Sequence, residues 1–195
     1  MIFRKMLTCC FSTVTTLKGV SEILIRKAEV EDVTGIAKVH VDSWRTTYKG
    51  IVPDPFLDNL SYEQRELIWK KGIKENNIYI AENENGQVIG FSTGGKERTG
   101  KYEAFTGELY AIYILREYQG KGIGRLLVQS VVDDLKNKNL NSMLIWAIEE
   151  NPACRFYEML GGKKVDTEEI EIAGKKLSEV AYGWDDIANY RGKTK

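Results

Sequence analysis

Hydrophobic and polar positions along the chain follow two periods, one typical of strands and one typical of helices. Short runs rich in β-branched and aromatic residues predict strands at 23–28, 78–82, 88–92, 108–115, 141–148, 163–172 and 176–186. Apolar residues three and four positions apart predict helices beginning near Val33, Ser61 and Gly122, and a short helix within 151–162. The predicted order is therefore β-α-α-β-β-β-α-β-α-β-β.

Turn-forming residues and the composition of the strands indicate how these elements are arranged. Asn85-Gly86 predicts a hairpin, and the proline- and glycine-containing segment 49–56 predicts a loop. The nearly continuous apolar run 108–115 is typical of a central strand, and the helix that follows it requires a parallel pairing with 141–148. We therefore expect an α/β (α+β) fold. It consists of a single mixed, mostly antiparallel twisted sheet of about seven strands, with helices on both faces.

Composition narrows the class of protein and partner. The chain has 195 residues, 43% hydrophobic and 29% charged, as in a globular protein of one domain. Its 28 basic and 28 acidic side chains cancel, so net charge indicates neither nucleic acid nor a membrane surface as a partner. No apolar run reaches membrane length. Three cysteines and a single histidine argue against a disulfide framework and a metal site, and favour a cytoplasmic protein.

Both ends of the chain are expected to lie outside the domain. Residues 1–22 combine early cations with an apolar stretch broken by serine and threonine, and no small-residue cleavage site follows. We interpret them as an N-terminal extension of uncertain order rather than a secretory signal. The domain is predicted to span 23–186, and residues 187–195 are predicted to form a polar C-terminal tail.

The stretch EYQGKGIG, residues 117–124, places three glycines at alternating positions directly before a helix. A dinucleotide-binding fingerprint has the spacing G-x-G-x-x-G and an acidic residue about twenty positions later. The loop does not match this fingerprint. A nucleoside-triphosphate loop has the pattern G-x-x-x-x-G-K-[ST], which is also absent. Two interpretations remain from the residues alone. The loop binds phosphate at the free N–H groups of the helix start, or it is a tight turn that packs helix against strand.

Three segments together resemble the GNAT superfamily of N-acetyltransferases. QGKGIG at 119–124 is similar to the family signature Q/R-x-x-G-x-G/A, and ELYAIYIL at 108–115 is similar to the strand that precedes it. NPACRFYEMLGG at 151–162 is similar to the element N-x-x-A-x-x-F-Y-x-x-x-G-F, although Gly162 stands where the family usually has an aromatic residue. The order of elements is similar from about residue 23 to residue 186.

The resemblance implies that acetyl-coenzyme A is the cosubstrate. In the family, the glycine loop binds the pyrophosphate, and the bulged end of the preceding strand splays from its parallel neighbour and accepts the pantetheine arm. The residues that this resemblance assigns to the coenzyme are Ile112, Tyr113, Ile114, Gln119, Gly120, Lys121, Gly122, Ile123, Gly124, Arg125 and Asn151.

Acetyl transfer from a thioester to an amine requires a neutral amine, a stabilised carbonyl oxygen and a proton for the leaving thiolate. The resemblance assigns the acid to Tyr157 and a base to Glu108. The alternatives are a packing aromatic for Tyr157 and a solvated strand end for Glu108. Trp44 and Tyr48 are candidates for the acceptor pocket or for the core. The lone His40 is interpreted as a satisfied core residue.

The predicted function is transfer of an acetyl group from acetyl-coenzyme A to a primary amine, by direct attack in a ternary complex. The acceptor is a small-molecule or peptide amine, and the resemblance is compatible with a homodimer. Two alternatives stay open at this point. One is a non-catalytic module that senses an acyl-coenzyme A, and the other is a transferase for a longer acyl chain.

Overall fold

The computed structural model describes residues 13–15, 22–188 and 190. Their strands form one eight-stranded sheet in the order β1-β2-β3-β4-β5-β6-β8-β7. The strands are β1 Thr13–Thr15, β2 Ile23–Lys27, β3 Ile78–Glu82, β4 Val88–Lys96, β5 Gly107–Ile114, β6 Met143–Ile148, β7 Lys163–Ile172 and β8 Lys175–Trp184. The helices are α1 Val33–Thr47, α2 Asp54–Asp58, α3 Tyr62–Glu75, α4 Ile123–Asn137 and α5 Cys154–Met159.

The expected fold class is confirmed. Strands β5 and β6 pair in parallel across α4, as predicted, and the other pairings are antiparallel. Ser61 caps α3 by accepting the N–H of Gln64 at 3.2 Å. The predicted hairpin joins β3 and β4, and Gly86 has a φ of 74° in its turn.

Two elements were absent from the prediction. The short strand β1 pairs with β2 at the sheet edge and falls within the predicted extension 1–22. Helix α2 replaces part of the loop expected at 49–56, because Pro55 lies in its first turn, where no backbone donor is needed. The predictions for residues 1–12, 16–21, 189 and 191–195 lie outside the described residues. Ile187 is fully buried, and its N–H donates to the carbonyl of Asn141 at 2.8 Å.

Helices cover both faces of the sheet, as alternate residues of β4 show. Phe91 points to one face, where its ring centroid lies 4.8 Å from that of Trp69 on α3 and 6.2 Å from that of His40 on α1. Ser92 points to the other face and donates to the carbonyl of Leu127 on α4 at 2.9 Å. Helices α1 and α3 therefore lie on one face and α4 on the opposite face.

Candidate active site

The centre of the sheet opens between its two parallel strands. Gly107 pairs with Met143 and Glu108 with Leu144, and beyond these two positions β5 and β6 no longer pair. On the other side of β5, the register with β4 shifts by one residue, which makes Tyr110 a bulge. A bulge increases local twist and bends its strand, so it contributes to the separation from β6. We call the resulting opening the β5–β6 gap.

The second half of β5 turns backbone groups toward this gap, and one of them, the carbonyl of Ile114, accepts a hydrogen bond from Gln119. The N–H of Leu115 donates to the carbonyl of Ile89 at 2.9 Å. Because backbone groups of an antiparallel strand alternate in direction, those of Tyr113 also face β4, whereas those of Ile112 and Ile114 face the gap. Ile112 and Ile114, predicted from the resemblance to contact the coenzyme, therefore lie where an extended ligand can pair with the strand. The backbone of Tyr113, predicted with them, pairs with Phe91 of β4 instead.

The glycine loop forms a concave, donor-rich helix start at the end of the gap. Within the described residues, the N–H groups of 120–124 donate to no backbone carbonyl. Gly120 and Gly122 have φ values of 73° and 90°, which strongly favour glycine. No described atom lies within 4 Å of the position that a β-carbon would take at Gly120. Gly120 and Gly122 are both exposed, so this part of the loop is open to solvent.

The side chains of the loop hold it against its surroundings. Nε2 of Gln119 donates to the carbonyl of Ile114 at 2.9 Å, and Nζ of Lys121 lies 5.2 Å from the centre of the Tyr118 ring. A β-carbon at Gly124 would approach Phe156 of α5 to 3.0 Å, so a glycine lets α4 and α5 pack closely. The loop thus packs α4 against α5 and also carries N–H groups that donate to no backbone carbonyl, so the two interpretations of the sequence are compatible.

Tyr157 lies on α5 and packs in the same cluster as Val128 of α4 and Ile112 of β5. Its side chain is buried, and its hydroxyl group forms no hydrogen bond within the described residues. Burial, followed by the neighbouring hydroxyl groups of Tyr48 and Tyr113, raises the pKa of Tyr157 well above its ordinary value. The phenol is therefore protonated at neutral pH and available as a proton donor.

A hydrogen-bonded aromatic group lines the α1 side of the gap. Nε1 of Trp44 donates to the hydroxyl of Tyr113 at 3.0 Å, and Nδ2 of Asn151 donates to the hydroxyl of Tyr48 at 3.1 Å. Oδ1 of Asn151 accepts the N–H of Ala153 at 2.9 Å. Asn151 thus joins α1 to the start of α5, and its contact with the coenzyme stays a prediction.

His40 belongs to the core beneath this group. Its Nδ1 accepts a hydrogen bond from Nε1 of Trp69 at 3.0 Å, and its ring stacks on Tyr113 with centroids 4.9 Å apart. Burial, and to a smaller extent the charge of Arg65, lowers the pKa of His40 to about 3. The imidazole is therefore neutral and serves as a hydrogen-bonded core residue, which agrees with the interpretation from the sequence.

Glu108 lies at the last position of β5 that pairs with β6, and it is buried, with 2% of its surface exposed. Both carboxylate oxygens accept hydrogen bonds from the guanidinium of Arg98, one of them from Nε at 3.0 Å, and the backbone N–H of Arg98 donates at 3.2 Å. The pairing raises the pKa of Arg98. The predicted base is therefore not a solvated strand end but one half of an ion pair.

A cavity of about 300 Å³ opens from the α1 side of the gap, and we call it the aromatic cavity. Its lining residues are Trp44, Tyr48, Arg98, Tyr110, Tyr113, Trp146, Ala147, Ile148, Glu168, Ile172 and Glu179. The candidates Trp44 and Tyr48 both line it. Sequence reasoning missed Arg98, Glu168 and Glu179.

One signal for Glu179 was present in the sequence. In a strand, every second residue faces the same side, and Glu179 lies between Leu177 and Ala181, which are both buried. A glutamate at an inward-facing position between apolar residues indicates a polar cavity. No comparable signal marks Arg98, which belongs to a polar connection.

Two negative findings apply to the described residues. None of their helices has both the length and the apolar character required to cross a bilayer. Among the same residues, no group of three or more histidine, cysteine, aspartate and glutamate side chains is arranged to hold a metal ion.

Comparison with known proteins identifies the class to which this fold and site belong. Residues 38–161 match the acetyltransferase (GNAT) family. The chain is 42% identical over 167 residues to the uncharacterized N-acetyltransferase YuaI of Bacillus subtilis (strain 168), covering 85% of this chain and 95% of that protein. The chain therefore belongs to the GNAT family of acetyltransferases.

More distant relatives share the length of the domain. Spermidine N(1)-acetyltransferase of Thermoplasma acidophilum is 25% identical over 164 residues, covering 80% of this chain and 98% of that protein. The crystal structure of PaiA N-acetyltransferase from Thermoplasma acidophilum in complex with coenzyme A superposes with a TM-score of 0.65 at 22% identity. That match covers 80% of this chain and 97% of the solved chain, and it supports the fold.

Proposed function

We propose that the chain transfers an acetyl group from acetyl-coenzyme A to a primary amine by direct attack within a ternary complex. The observation that carries this proposal is the β5–β6 gap, which separates the strand before the glycine loop from β6. Tyr157 packs in the same cluster as Ile112 and Ala147 of these two strands. A thioester extended along the gap would have its phosphates at one end and its acetyl group near the aromatic cavity.

Backbone geometry supports acetyl-coenzyme A as the donor. The free N–H groups of 120–124 suit a pyrophosphate, since a helix start carries unpaired donors and positive potential. The backbone groups of Ile112 and Ile114 that face the gap suit the amides of a pantetheine arm. Coenzyme A in the related Thermoplasma structure is consistent with this choice. Lys121, Arg125 and Asn151 remain proposed contacts.

In the proposed reaction the amine nitrogen bonds to the thioester carbonyl carbon, and the carbon–sulfur bond breaks. Tyr157 donates its proton to the departing thiolate, which leaves as the free thiol. The protonated amine releases one proton before it attacks, because an alkylammonium has a pKa of about 10.4. The nitrogen loses a second proton as the amide forms, and this proton replaces the one that Tyr157 gave to the thiolate. The resulting amide retains the acetyl group.

Glu108 is the proposed base for that proton. Its carboxylate lies at the root of the gap, where the two strands separate. Oε2 of Glu108 accepts two hydrogen bonds from Arg98 and Oε1 accepts one, so a proton can reach the remaining lone pair of Oε1 directly or through water, or the ion pair can loosen. Mutation must therefore distinguish whether Glu108 acts as the base or only positions the groups around it.

The acceptor is proposed to be a small or peptidyl amine. The distant relative from Thermoplasma acidophilum is named for acetylation of spermidine, which is an aliphatic amine. The cysteine usage of the chain favours a cytoplasmic location. A homodimer is compatible with both the proposed acceptor and the proposed location.

A turnover assay tests the function. The full chain is incubated with acetyl-coenzyme A and a panel of amines that includes aliphatic polyamines, lysine and short peptides, and free thiol is measured over time. Release of thiol that depends on the amine supports the transferase. Calorimetric binding of acetyl-coenzyme A without thiol release for any amine would instead favour the non-catalytic sensor. Faster release from propionyl- or butyryl-coenzyme A would indicate a longer acyl donor.

A further inference from the structure

The aromatic cavity contains one carboxylate whose charge no neighbour balances. Glu179 lies on β8, directly opposite Ile148 of β6 and Glu168 of β7. Its side chain is half-buried and forms no hydrogen bond or ion pair within the described residues. Burial, followed by the charge of Glu168, raises the pKa of Glu179.

The other charges around the cavity are already paired. Arg98 is neutralised by Glu108, and its guanidinium lies 4.5 Å from the centre of the Tyr110 ring. Glu168 is exposed and forms an ion pair with Lys101 at the rim. The described lining therefore has one net negative charge, and that charge belongs to Glu179.

The walls around this carboxylate are aromatic, and the cavity is small. Trp44, Tyr48, Tyr113 and Trp146 all line it. Aromatic faces attract a cation through their quadrupole, most strongly when water is excluded. A volume of about 300 Å³ is at the lower end of small-molecule sites, which leaves room for a short aliphatic chain rather than a bulky ligand.

We infer that Glu179 binds the ammonium group of the acceptor, and that the acceptor is a short, free alkylamine. This inference rests on the proposed function and specifies its acceptor. The carboxylate holds the cation in the binding step, and the aromatic walls enclose its methylene groups. The nitrogen then loses one proton before it attacks the bound thioester. Glu179 is a specificity-determining residue in this account, and Tyr157 and Glu108 keep their proposed roles.

A binding experiment tests this without requiring turnover. The full chain is saturated with coenzyme A, which cannot acetylate, and titrated with 1-aminobutane or with the neutral 1-butanol while tryptophan fluorescence and heat are recorded. We expect the wild type to prefer 1-aminobutane by about tenfold or more, since a hydrogen bond to a charged group is typically worth that much. Glu179→Gln should abolish the preference. Glu171→Gln, at an exposed glutamate of β7 outside the cavity lining, is the matched control and should keep it.

The outcomes separate this inference from the transferase proposal. A folded Glu179→Gln variant that still prefers 1-aminobutane, or a wild type without the preference, would overturn the inference. Thiol release with an unchanged KM for 1-aminobutane in Glu179→Gln would also overturn it while the transferase stands. Cation-selective binding without thiol release for any amine would keep Glu179 as an ammonium-binding residue and reject its ligand as an acetyl acceptor. A lysine peptide with a lower KM than 1-aminobutane would overturn the assignment to a free amine.

Discussion

The two sides of the β5–β6 gap are built in opposite ways. The proposed donor side comes from one continuous segment, residues 112–125, and offers mainly backbone groups. The proposed acceptor side is the aromatic cavity, which draws side chains from α1, β5, β6, β7 and β8 and from the connection after β4. Backbone recognition tolerates many side chains and requires only glycine at a few places. Side-chain recognition depends on the identity of each residue, so the acceptor side is where relatives can differ while the donor side stays the same.

The largest expected effect concerns Tyr157, where the two sides meet. Tyr157→Phe should lower kcat by about a hundredfold or more, because the proton donor to the thiolate is lost. The KM for acetyl-coenzyme A should change little, and the fold should persist, since the hydroxyl forms no hydrogen bond within the described residues. Steady-state thiol release measures both constants.

Tyr182 provides a matched control for this change. It is also a buried tyrosine, and its ring centroid lies 5.9 Å from that of Tyr157, but its hydroxyl donates to Glu158 at 3.3 Å. Tyr182→Phe should retain kcat within about threefold, as removal of one ordinary hydrogen bond has a small effect. Equal rates for the two variants would contradict the assignment of Tyr157 as the acid.

The second prediction separates a base from a positioning residue at the root of the gap. If Glu108 accepts the proton, Glu108→Gln should lower kcat by about a hundredfold, whereas Arg98→Gln should leave kcat within about tenfold. If the ion pair only shapes the cavity, the two variants and their double mutant should lose the same amount, because each breaks the same contact. Kinetics of all three variants at saturating amine distinguish the cases.

The third prediction isolates the donor side. Gly120→Ala forces an L-residue into a φ of 73°, a strain of about 1–2 kcal/mol that relaxes by rotating the loop N–H groups. We expect the Kd for coenzyme A to rise by about tenfold. Gly174 has a φ of 82° and open space around it in the β7–β8 turn, so Gly174→Ala imposes a similar strain outside the glycine loop. Calorimetry with both variants should show weaker binding for Gly120→Ala alone.

The contrast between the sides also explains how much of the molecule could be predicted from its sequence. The glycine loop, the strand before it and the Tyr157 segment are each local, so spacing and resemblance were sufficient to locate them. The parallel pairing of β5 with β6 followed from the helix between them. These features are sufficient to predict the fold and the donor side of the gap.

The acceptor side resisted prediction because its residues meet only through tertiary structure. Arg98 and Glu108 lie ten positions apart, and their pairing depends on how the connection after β4 folds back. Glu179 is more than a hundred residues from Tyr48, although both line the same cavity. Strand β1 and helix α2 were missed for a different reason, since three- and five-residue elements give too short a period to recognise.

The smallest expected effect is on stability, and it concerns the unbalanced charge of the acceptor side. The raised pKa of Glu179 means that the folded state binds more protons than the unfolded state at pH values just above the ordinary glutamate pKa of 4.5. The free energy of unfolding should therefore fall as pH rises through this window. The groups facing Glu179 are Glu168 from β7, Tyr48 from α1 and Tyr113 from β5. Other carboxylates add their own pH dependence, so the difference between wild type and variant is the relevant quantity.

Glu179→Gln removes both the titration and the repulsion from Glu168. The variant should be more stable than the wild type at pH 7 by about 0.2–1 kcal/mol, which is the range for a cross-strand pair. The advantage should disappear toward pH 4, where the wild-type carboxyl group is protonated. Denaturant unfolding of both proteins across this range measures the difference. An advantage that stays constant with pH would mean that packing, rather than charge, separates the two proteins. A loss of stability in the variant would mean that a cation already balances Glu179, and the acceptor side would then have no free charge with which to select an amine.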